Sequence, residues 1–543
     1  MLSKEDVRNL FLLLLGMLLV LVMLSPARSF PITDDWIYAQ SVSDLLNWAY
    51  TPHDFSQATA LTHVAWGALF TLIFGHGFTV LAYANLVMSG ICMLVFYLLL
   101  RQTRVRPGSA LFGTALLACN PMYVYLSYSF MTDITFLTCM LAACFCYVRG
   151  MQAYTRGEDR TGWRWLLAGG LVAALACLTR QFGLLLLPAA LGYLWWSRRW
   201  TWRRAAAIAA IPLAASAIYL LWDRTHPERL VDIYVNQSVA TAIRYPLEYI
   251  VHRIQLDIGI VPILGLSLLP IIRLPRRPLY SLPLIALIVL FQIRSFQQGG
   301  TILPMNGNII DHRGLAMLYY DAEPLFPEAV WLLLGITGAC VVSFYVVACG
   351  EELLDRFRNR VRGLRIEDPA LLLYLVAFML GAMTLMVTFF LYDRYLLPLL
   401  PLLMVPELRR LSALPPAATR RLALRWALAA PVMLLVFVVQ ADYMAHSAAR
   451  WAAAEELLMQ GAHPRQISAG FEWAGQYSYE AGAAYIRETR DYRDLSYPPF
   501  AVLDPLFMVA DRQQEGYTVI GSVPYESWLY GGEPRRVLML KRD

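Results

Sequence analysis

Charge is what this sequence has least of. Asp, Glu, Lys and Arg make up 15% of its 543 residues, while 58% are hydrophobic, a balance that excludes an ordinary soluble domain and indicates a polytopic membrane protein. Cysteine is sparse too. The eight (92, 119, 139, 144, 146, 177, 340 and 349) all lie in or at the ends of apolar runs, so they read as soft packing residues and not as disulfides or a thiolate cluster. Cys144 and Cys146, two apart, point to different faces of a helix. The eight His residues include no pair at helical metal-ligand spacing, so no structural zinc site is expected. There is no long internal repeat and no low-complexity tract. The net charge of +6 is not a nucleic-acid signature, because the Arg residues punctuate the gaps between apolar runs; no nucleic-acid partner is expected.

What is present is a series of apolar runs whose basic gaps define an orientation, since short cytoplasmic loops are enriched in Lys and Arg. Lys4 and Arg8 precede the first run, 10–24. A signal-peptide core followed by Ser25-Pro26-Ala27 is one reading of it, and an uncleaved first span is preferred. Either choice leaves residues 28–44 outside. Residues 61–74, with His63 and Trp66, are short for a span and are placed as a helix along the outer surface. Further spans are expected at 80–100, 110–128, 134–148, 165–178, 184–196 and 205–222, then two around Arg273, Arg276 and Arg277, and then at 329–349, 371–391, 396–404 and 424–440. About thirteen spans in all place every strongly basic gap on the cytoplasmic side, with the N-terminus there as well. Outer loops follow at 223–257 and 295–328, the second rich in Gly, Asn and Pro.

From about residue 441 the composition turns mixed and moderately charged, with a helix-like piece at 448–460 and strand-like pieces at 466–471, 517–523 and 537–540. The expected organisation is therefore a transmembrane domain over 1–440 and a small extracytoplasmic α/β domain over 441–543. Asn236-Gln237-Ser238 has the form of a glycosylation sequon, but such triplets are common by chance.

Residues 28–44, RSFPITDDWIYAQSVSD, set two adjacent acids beside amphipathic aromatics at an expected membrane edge. Adjacent Asp34 and Asp35 beside Trp36 and Tyr38 read either as a functional site or as the cap and first-turn acids of a helix, together with Thr33. On the expected topology Asp34, Asp35, Asp133, Arg180, Asp393 and Arg394 all fall at outer ends of spans. Singly, each reads as an interfacial charge. Together they describe one outward-facing polar cavity, in which a carboxylate base and phosphate-holding cations could work side by side.

With these motifs the chain resembles the GT-C superfamily of integral-membrane glycosyltransferases, and within it the lipid A aminoarabinose transferases and the protein O-mannosyltransferases. The likeness runs from the Asp34-Asp35 pair through Phe74-Gly75, Asn120-Pro121 and Met131-Thr132-Asp133 to Leu178-Thr179-Arg180-Gln181-Phe182-Gly183, with a later anchor at Asp393-Arg394-Tyr395-Leu396-Leu397-Pro398. It covers roughly the first two hundred residues in order.

The resemblance implies a GT-C-like all-α membrane fold. It also implies transfer of a sugar from a polyprenyl-phosphate carrier to a hydroxyl of a lipid, glycan or protein acceptor on the outer face of the plasma (inner) membrane. It makes Asp34 the catalytic base, Asp35 its partner and Asp133 a second acid. Asp stands at 35 where many relatives have Glu, and Arg stands at 180 where many have Lys, which changes the reach of both side chains.

Chemically, Arg180 and Arg394 suit the departing phosphate through bidentate bonds. Trp36, Tyr38, Gln181, Tyr392, Asp393 and Tyr395 are expected to line the substrate. A divalent cation could bind where acids meet, though the sequence does not require one. Asp34 and Asp35, being neighbours, are expected to have different tasks. A multi-span transporter or flippase is the competing class, but its coupling residues belong near the midplane, where these spans are almost without charge. A ligase or polymerase of lipid-linked oligosaccharides would share the cavity but not the Asp34-Asp35 motif.

Overall fold

The computed structural model describes residues 3–226, 229–297, 309–311, 314–315, 325–361, 368, 370–384, 392–413, 419–489, 505–530 and 534–543. In order, the helices that build the first half are α1 (Lys4–Met23), α2 (Asp35–Leu46), α3 (Leu61–Phe74), α4 (Phe78–Gln102), α5 (Pro107–Ala118), α6 (Pro121–Tyr128), α7 (Thr132–Thr155), α8 (Asp159–Cys177), α9 (Leu186–Trp196) and α10 (Trp202–Asp223). They are followed by α11 (Leu230–Arg244), α12 (Pro246–Leu268), α13 (Leu282–Gln297), α14 (Glu328–Val361), α15 (Ala370–Thr384), α16 (Leu399–Ala413), α17 (Thr419–Met459) and α18 (Phe471–Thr489).

Among the described residues six helices, α1, α4, α7, α10, α14 and α17, are long and apolar enough to cross a bilayer, and α5 with α6 adds a seventh if the pair is one span. The chain is a multi-pass membrane protein. Apolar side chains such as Phe11, Leu14 and Leu18 on α1 and Leu424, Leu428 and Val432 on α17 stand exposed, as lipid-facing surfaces must. The remaining expected spans coincide with helices that are shorter or more polar, such as α9. Its 11 residues reach only about 17 Å, well under a hydrocarbon core of about 30 Å. Residues 385–391 of the expected span 371–391 lie outside the described residues. So does much of the expected loop 295–328.

The single span expected over 110–128 is broken. Pro121 has no N–H and holds Asn120 extended (φ −70°, ψ 135°), so α5 cannot run on into α6. The Asn120 side chain instead accepts from Met122 N at 3.1 Å as a new N-cap, and the two helices meet at 63°.

Near the C-terminus α17 runs without interruption through position 440, where the composition changes. The piece expected as a separate helix at 448–460 is its last three turns. Beyond it β3 (Ile467–Ser468), β4 (Phe507–Ala510), β5 (Tyr517–Glu526) and β6 (Pro534–Arg542) form one sheet in the order β3-β4-β6-β5, with only β3 and β4 parallel. The strand expected over 466–471 stops after two residues because Gly470 (φ 95°) turns the chain into α18. Buried Val537, Met539, Ile467 and Trp473 join this sheet and α18 to the main core. A small hairpin, β1 (Ile310–Asp311) with β2 (Gly314–Leu315), precedes α14.

One buried knot fixes the entry of α2. The Arg28 guanidinium donates through Nη2 to Asp35 Oδ2 at 2.5 Å, through Nη1 to Tyr128 O at 2.7 Å and through Nε to Phe30 O at 3.1 Å. Asp35 further accepts from Phe130 N at 2.6 Å and Ile32 N at 3.2 Å, and its side chain is wholly buried. The loop before α2 is thus tied to the chain between α6 and α7. Burial pushes the Asp35 carboxyl up to about 6 against the opposing pull of Arg28 and the two N–H groups, so at neutral pH this is an ion pair.

Removing one partner strands a buried charge, which costs about 3–5 kcal/mol. Arg28→Met and Asp35→Asn should each sharply lower the thermal midpoint of the detergent-solubilised protein. Arg28→Met with Asp35→Leu should recover part of the loss, and unchanged midpoints in both single variants would show that the knot carries no stability.

Candidate active site

Three turns converge beside this knot. The first is residues 33–34 at the start of α2. Thr33 holds a left-handed backbone (φ 47°), uncommon for a β-branched residue, and Asp34 follows as the N-cap of α2. Its backbone carbonyl accepts from Ile37 N at 3.0 Å, but its carboxylate makes no capping bond. Asp34 Oδ2 lies 3.4 Å from Arg394 Nη1 instead. Of the two readings of this pair of acids, the capping one therefore fails for the Asp34 side chain.

The second is the turn between α8 and α9. Gly183 lets it close tightly, for a Cβ there would lie 2.4 Å from the backbone N of Cys177. Residues 57–62 zip onto this tip: Thr59 Oγ1 donates to Cys177 O at 2.8 Å, Ala60 N to Thr179 O at 3.0 Å, and Thr62 N to Leu178 O at 3.2 Å. Gln181 Nε2 belongs to the same zipper, donating to Gln57 O at 2.7 Å. Arg180 is thereby aimed at the start of α7, where Nη2 donates to Asp133 Oδ2 and Nε to Thr132 Oγ1, both at 2.9 Å.

The third is the 3-10 turn Asp393–Leu396. Asp393 is fully buried and accepts from the backbone of Ile309, Ile310 and Arg394, at 2.7 Å from Ile310 N, so it anchors the chain leading into β1. The Arg394 guanidinium sits over the Tyr392 ring at 5.0 Å and near Tyr395 at 5.9 Å, and Arg180 approaches the Tyr395 ring at 5.6 Å. Tyr395 is therefore shared between the two cations. Met131, the N-cap of α7, fills the space between the turns, its Sδ accepting from Thr33 Oγ1 at 3.0 Å and Arg394 Nη1 at 3.5 Å.

Asp34, Asp133, Arg180 and Arg394 thus form two acid–cation pairs in one another's field. Burial raises the Asp34 carboxyl above its usual range. The Arg394 guanidinium opposes that rise first, Asp133 adds to it, and Arg180 opposes it weakly. Tyr38, buried on α2, feels Asp34, Arg180 and Arg394 and is held by Thr132, with burial pushing its phenol up.

Trp36 points elsewhere, packing against His53 at 5.2 Å and Tyr479 of α18 at 5.3 Å. Asp35 lies in the knot with Arg28. Among the described residues no three of His, Cys, Asp and Glu come together in a way that could hold a metal ion.

Arg28, Met131 and Glu472 were not visible as site residues in the sequence. Glu472, on the first turn of α18, accepts from Thr33 N at 3.2 Å and is paired with Arg450 of α17 at 2.9 Å. It lies more than four hundred positions from the loop it touches, in a segment whose composition suggested a separate unit.

Residues 62–222 match the family model described as dolichyl-phosphate-mannose-protein mannosyltransferase. Among curated proteins none matches the chain in sequence. Three solved structures show distant likeness. The S. cerevisiae protein O-mannosyltransferase Pmt1-Pmt2 complex bound to the sugar donor is 13% identical over 41% of this chain and 34% of that chain, with a TM-score of 0.35. This chain thus spans about a third of the yeast chain that it matches. ArnT from Cupriavidus metallidurans bound to undecaprenyl phosphate is 14% identical over 98% of this chain and 97% of that chain, at 0.44. The archaeal oligosaccharyltransferase AglB from Archaeoglobus fulgidus, in complex with an inhibitory peptide and a dolichol-phosphate, is 14% identical over 93% and 69%, at 0.47. Below a TM-score of 0.5 none of these places a residue or a ligand. The matched segment contains Asn120-Pro121, Met131-Thr132-Asp133 and the turn carrying Arg180, and with it the chain's resemblance to the GT-C glycosyltransferases stands.

Proposed function

We propose that this protein transfers a sugar from a polyprenyl-phosphate carrier to an acceptor hydroxyl, at the outer face of the plasma (inner) membrane. The observation that carries the reading is the Asp34 carboxylate. It is turned off the helix it precedes, partly open, and set against a guanidinium in the field of a second acid–cation pair.

In the proposed reaction the acceptor oxygen forms a bond to the anomeric carbon as the bond from that carbon to the carrier's phosphate oxygen breaks. The polyprenyl phosphate leaves with the electron pair. Asp34 takes the acceptor proton, which requires the carboxylate to be ionised and within hydrogen-bond reach of the hydroxyl.

Arg394 and Arg180 supply positive charge for the departing phosphate, the guanidinium plane being suited to paired bonds with its oxygens. Asp133 keeps Arg180 in place, and Tyr395 and Tyr392 hold the cations from their ring faces. When phosphate draws Arg394 away from Asp34, the carboxylate becomes a stronger base at the moment the donor is seated. Asp35 and Trp36 act here through position alone. The α18 unit, on the same side as Asp34, helps to select the acceptor.

General-base assistance is worth about 10²- to 10⁴-fold. Asp34→Asn should therefore abolish detectable transfer in membranes while expression stays intact, as measured by mass spectrometry of envelope lipids, glycans and proteins with and without the variant. Persisting transfer would overturn the base assignment.

The rate should fall on acidification with a midpoint above the ordinary carboxylate value of about 3.9. Arg394 favours the ionised form, so in Arg394→Gln that acid limb should move to higher pH. Movement to lower pH would contradict the pairing.

A further inference from the structure

Thr33 and Glu472 present a combination that the proposed chemistry does not use. A left-handed backbone at a β-branched residue persists only where its surroundings hold it. Around Thr33, Asp35 N closes the turn onto Ile32 O at 3.1 Å, and two contacts of Thr33 itself add to that hold. Its N–H donates to Glu472 Oε1 at 3.2 Å and its hydroxyl to Met131 Sδ at 3.0 Å. Glu472 is itself almost wholly buried, and its other oxygen receives Arg450 Nη2 at 2.9 Å, while Arg450 Nη1 donates to Ala469 O. Two charges have thus been taken out of water, at considerable cost, at a point where a neutral acceptor would satisfy one amide.

Without that hold, Asp34 would follow its intrinsic preference. An Asp at the N-cap ordinarily turns its carboxylate onto the N–H groups of the first turn. Here it does not: Asp34, at φ −81° and ψ 8°, lacks the extended backbone of an ordinary N-cap and follows directly on the turned Thr33.

We infer that Glu472, braced by Arg450, is a positioning residue for Asp34: it holds Thr33 in its left-handed turn, so that the Asp34 carboxylate is presented to the cavity and not spent on capping α2. The C-terminal segment then acts on Asp34 from a distance, and its seating against the first loop governs how that carboxylate is presented. This rests on the reading of Asp34 as the base, but it can be tested without any sugar donor.

The probe is a lipid-soluble carbodiimide, which reacts with protonated carboxyl groups. Labelling of Asp34 is followed against pH by peptide mass spectrometry on the full-length protein in detergent. The groups facing Asp34 are Arg394 from the 393–396 turn, Asp133 from α7, Arg180 from the 178–183 turn and Tyr38 on α2; those facing Glu472 are Arg450 and Tyr443 of α17.

In Glu472→Leu, Asp34 relaxes onto the backbone N–H groups of α2, which favour its ionised form. Its half-labelling pH should fall by about one unit or more, and kcat should drop roughly ten- to a hundredfold with KM little changed. The paired variant Glu472→Gln with Arg450→Gln keeps an acceptor for Thr33 N and removes both charges. It should leave the half-labelling pH near the native value and kcat within about threefold of it.

A folded Glu472→Leu protein with the native half-labelling pH and kcat would overturn the inference. Should that variant fail to accumulate, the paired variant decides: native behaviour supports the inference, and a shift in half-labelling pH of one unit or more overturns it. Failure of the glycosyl-transfer reading shows itself differently, as transfer that survives Asp34→Asn whatever the labelling gives.

Discussion

The arrangement depends on the ion pair between Arg28 and Asp35, sealed from water and completed by backbone N–H and carbonyl groups of two separate segments. Such a pair earns little net stability over a well-packed apolar pair. What it does here is geometric. It ties residues 26–35 to 128–130, and so sets the start of α2 beside the start of α7. Asp34 and Asp133 can share a field only because those two helix starts are neighbours. A hydrophobic contact would bring the same segments together without fixing the rotation of one turn against the other.

From that join the site is assembled by alternation of sign. Acid faces cation twice, and an aromatic ring stands between the cations. Neither acid is buried alone, which near a membrane would be prohibitive, and each cation has its counter-ion. The cost is that Arg394, by favouring the ionised form, offsets part of the rise that burial imposes on the Asp34 carboxyl. At 3.4 Å this pairing is looser than the 2.9 Å contact between Arg180 and Asp133. The same reasoning separates the two neighbouring aspartates. Among the described residues Asp35 accepts from Arg28, Ile32 and Phe130, whereas the Asp34 carboxylate has one contact, 3.4 Å long.

Much of this is legible in the sequence. Apolar runs mark helices directly, and residues 61–74 coincide with α3 to the residue. The outlying charges at 34, 133, 180 and 394 could be gathered because a charge at the end of an apolar run needs a reason. Membership in the site was less legible for residues whose surroundings come from distant chain. Trp36 beside two acids resembles a substrate platform, yet its partners, His53 and Tyr479, pull it into a packed cluster that no local pattern announces. Glu472 and Arg450 look like ordinary charges on polar helices until α17 brings them under the first loop. The break at Asn120-Pro121 was readable as a motif, while the 63° turn it produces depends on how α5 and α6 pack against their neighbours.

The 41 residues of α17 form a single helix, on the order of 60 Å long, about twice the thickness of a hydrocarbon core. Even with Pro431 inside it, a helix of that length outreaches the hydrocarbon, and its far part, carrying Arg450, projects clear of the lipid as a mast. With no flexible joint at residue 440, the terminal sheet cannot swing as a tethered bead. A bulky molecule docking at the mast's tip would therefore meet a sheet held at a set height above the bilayer.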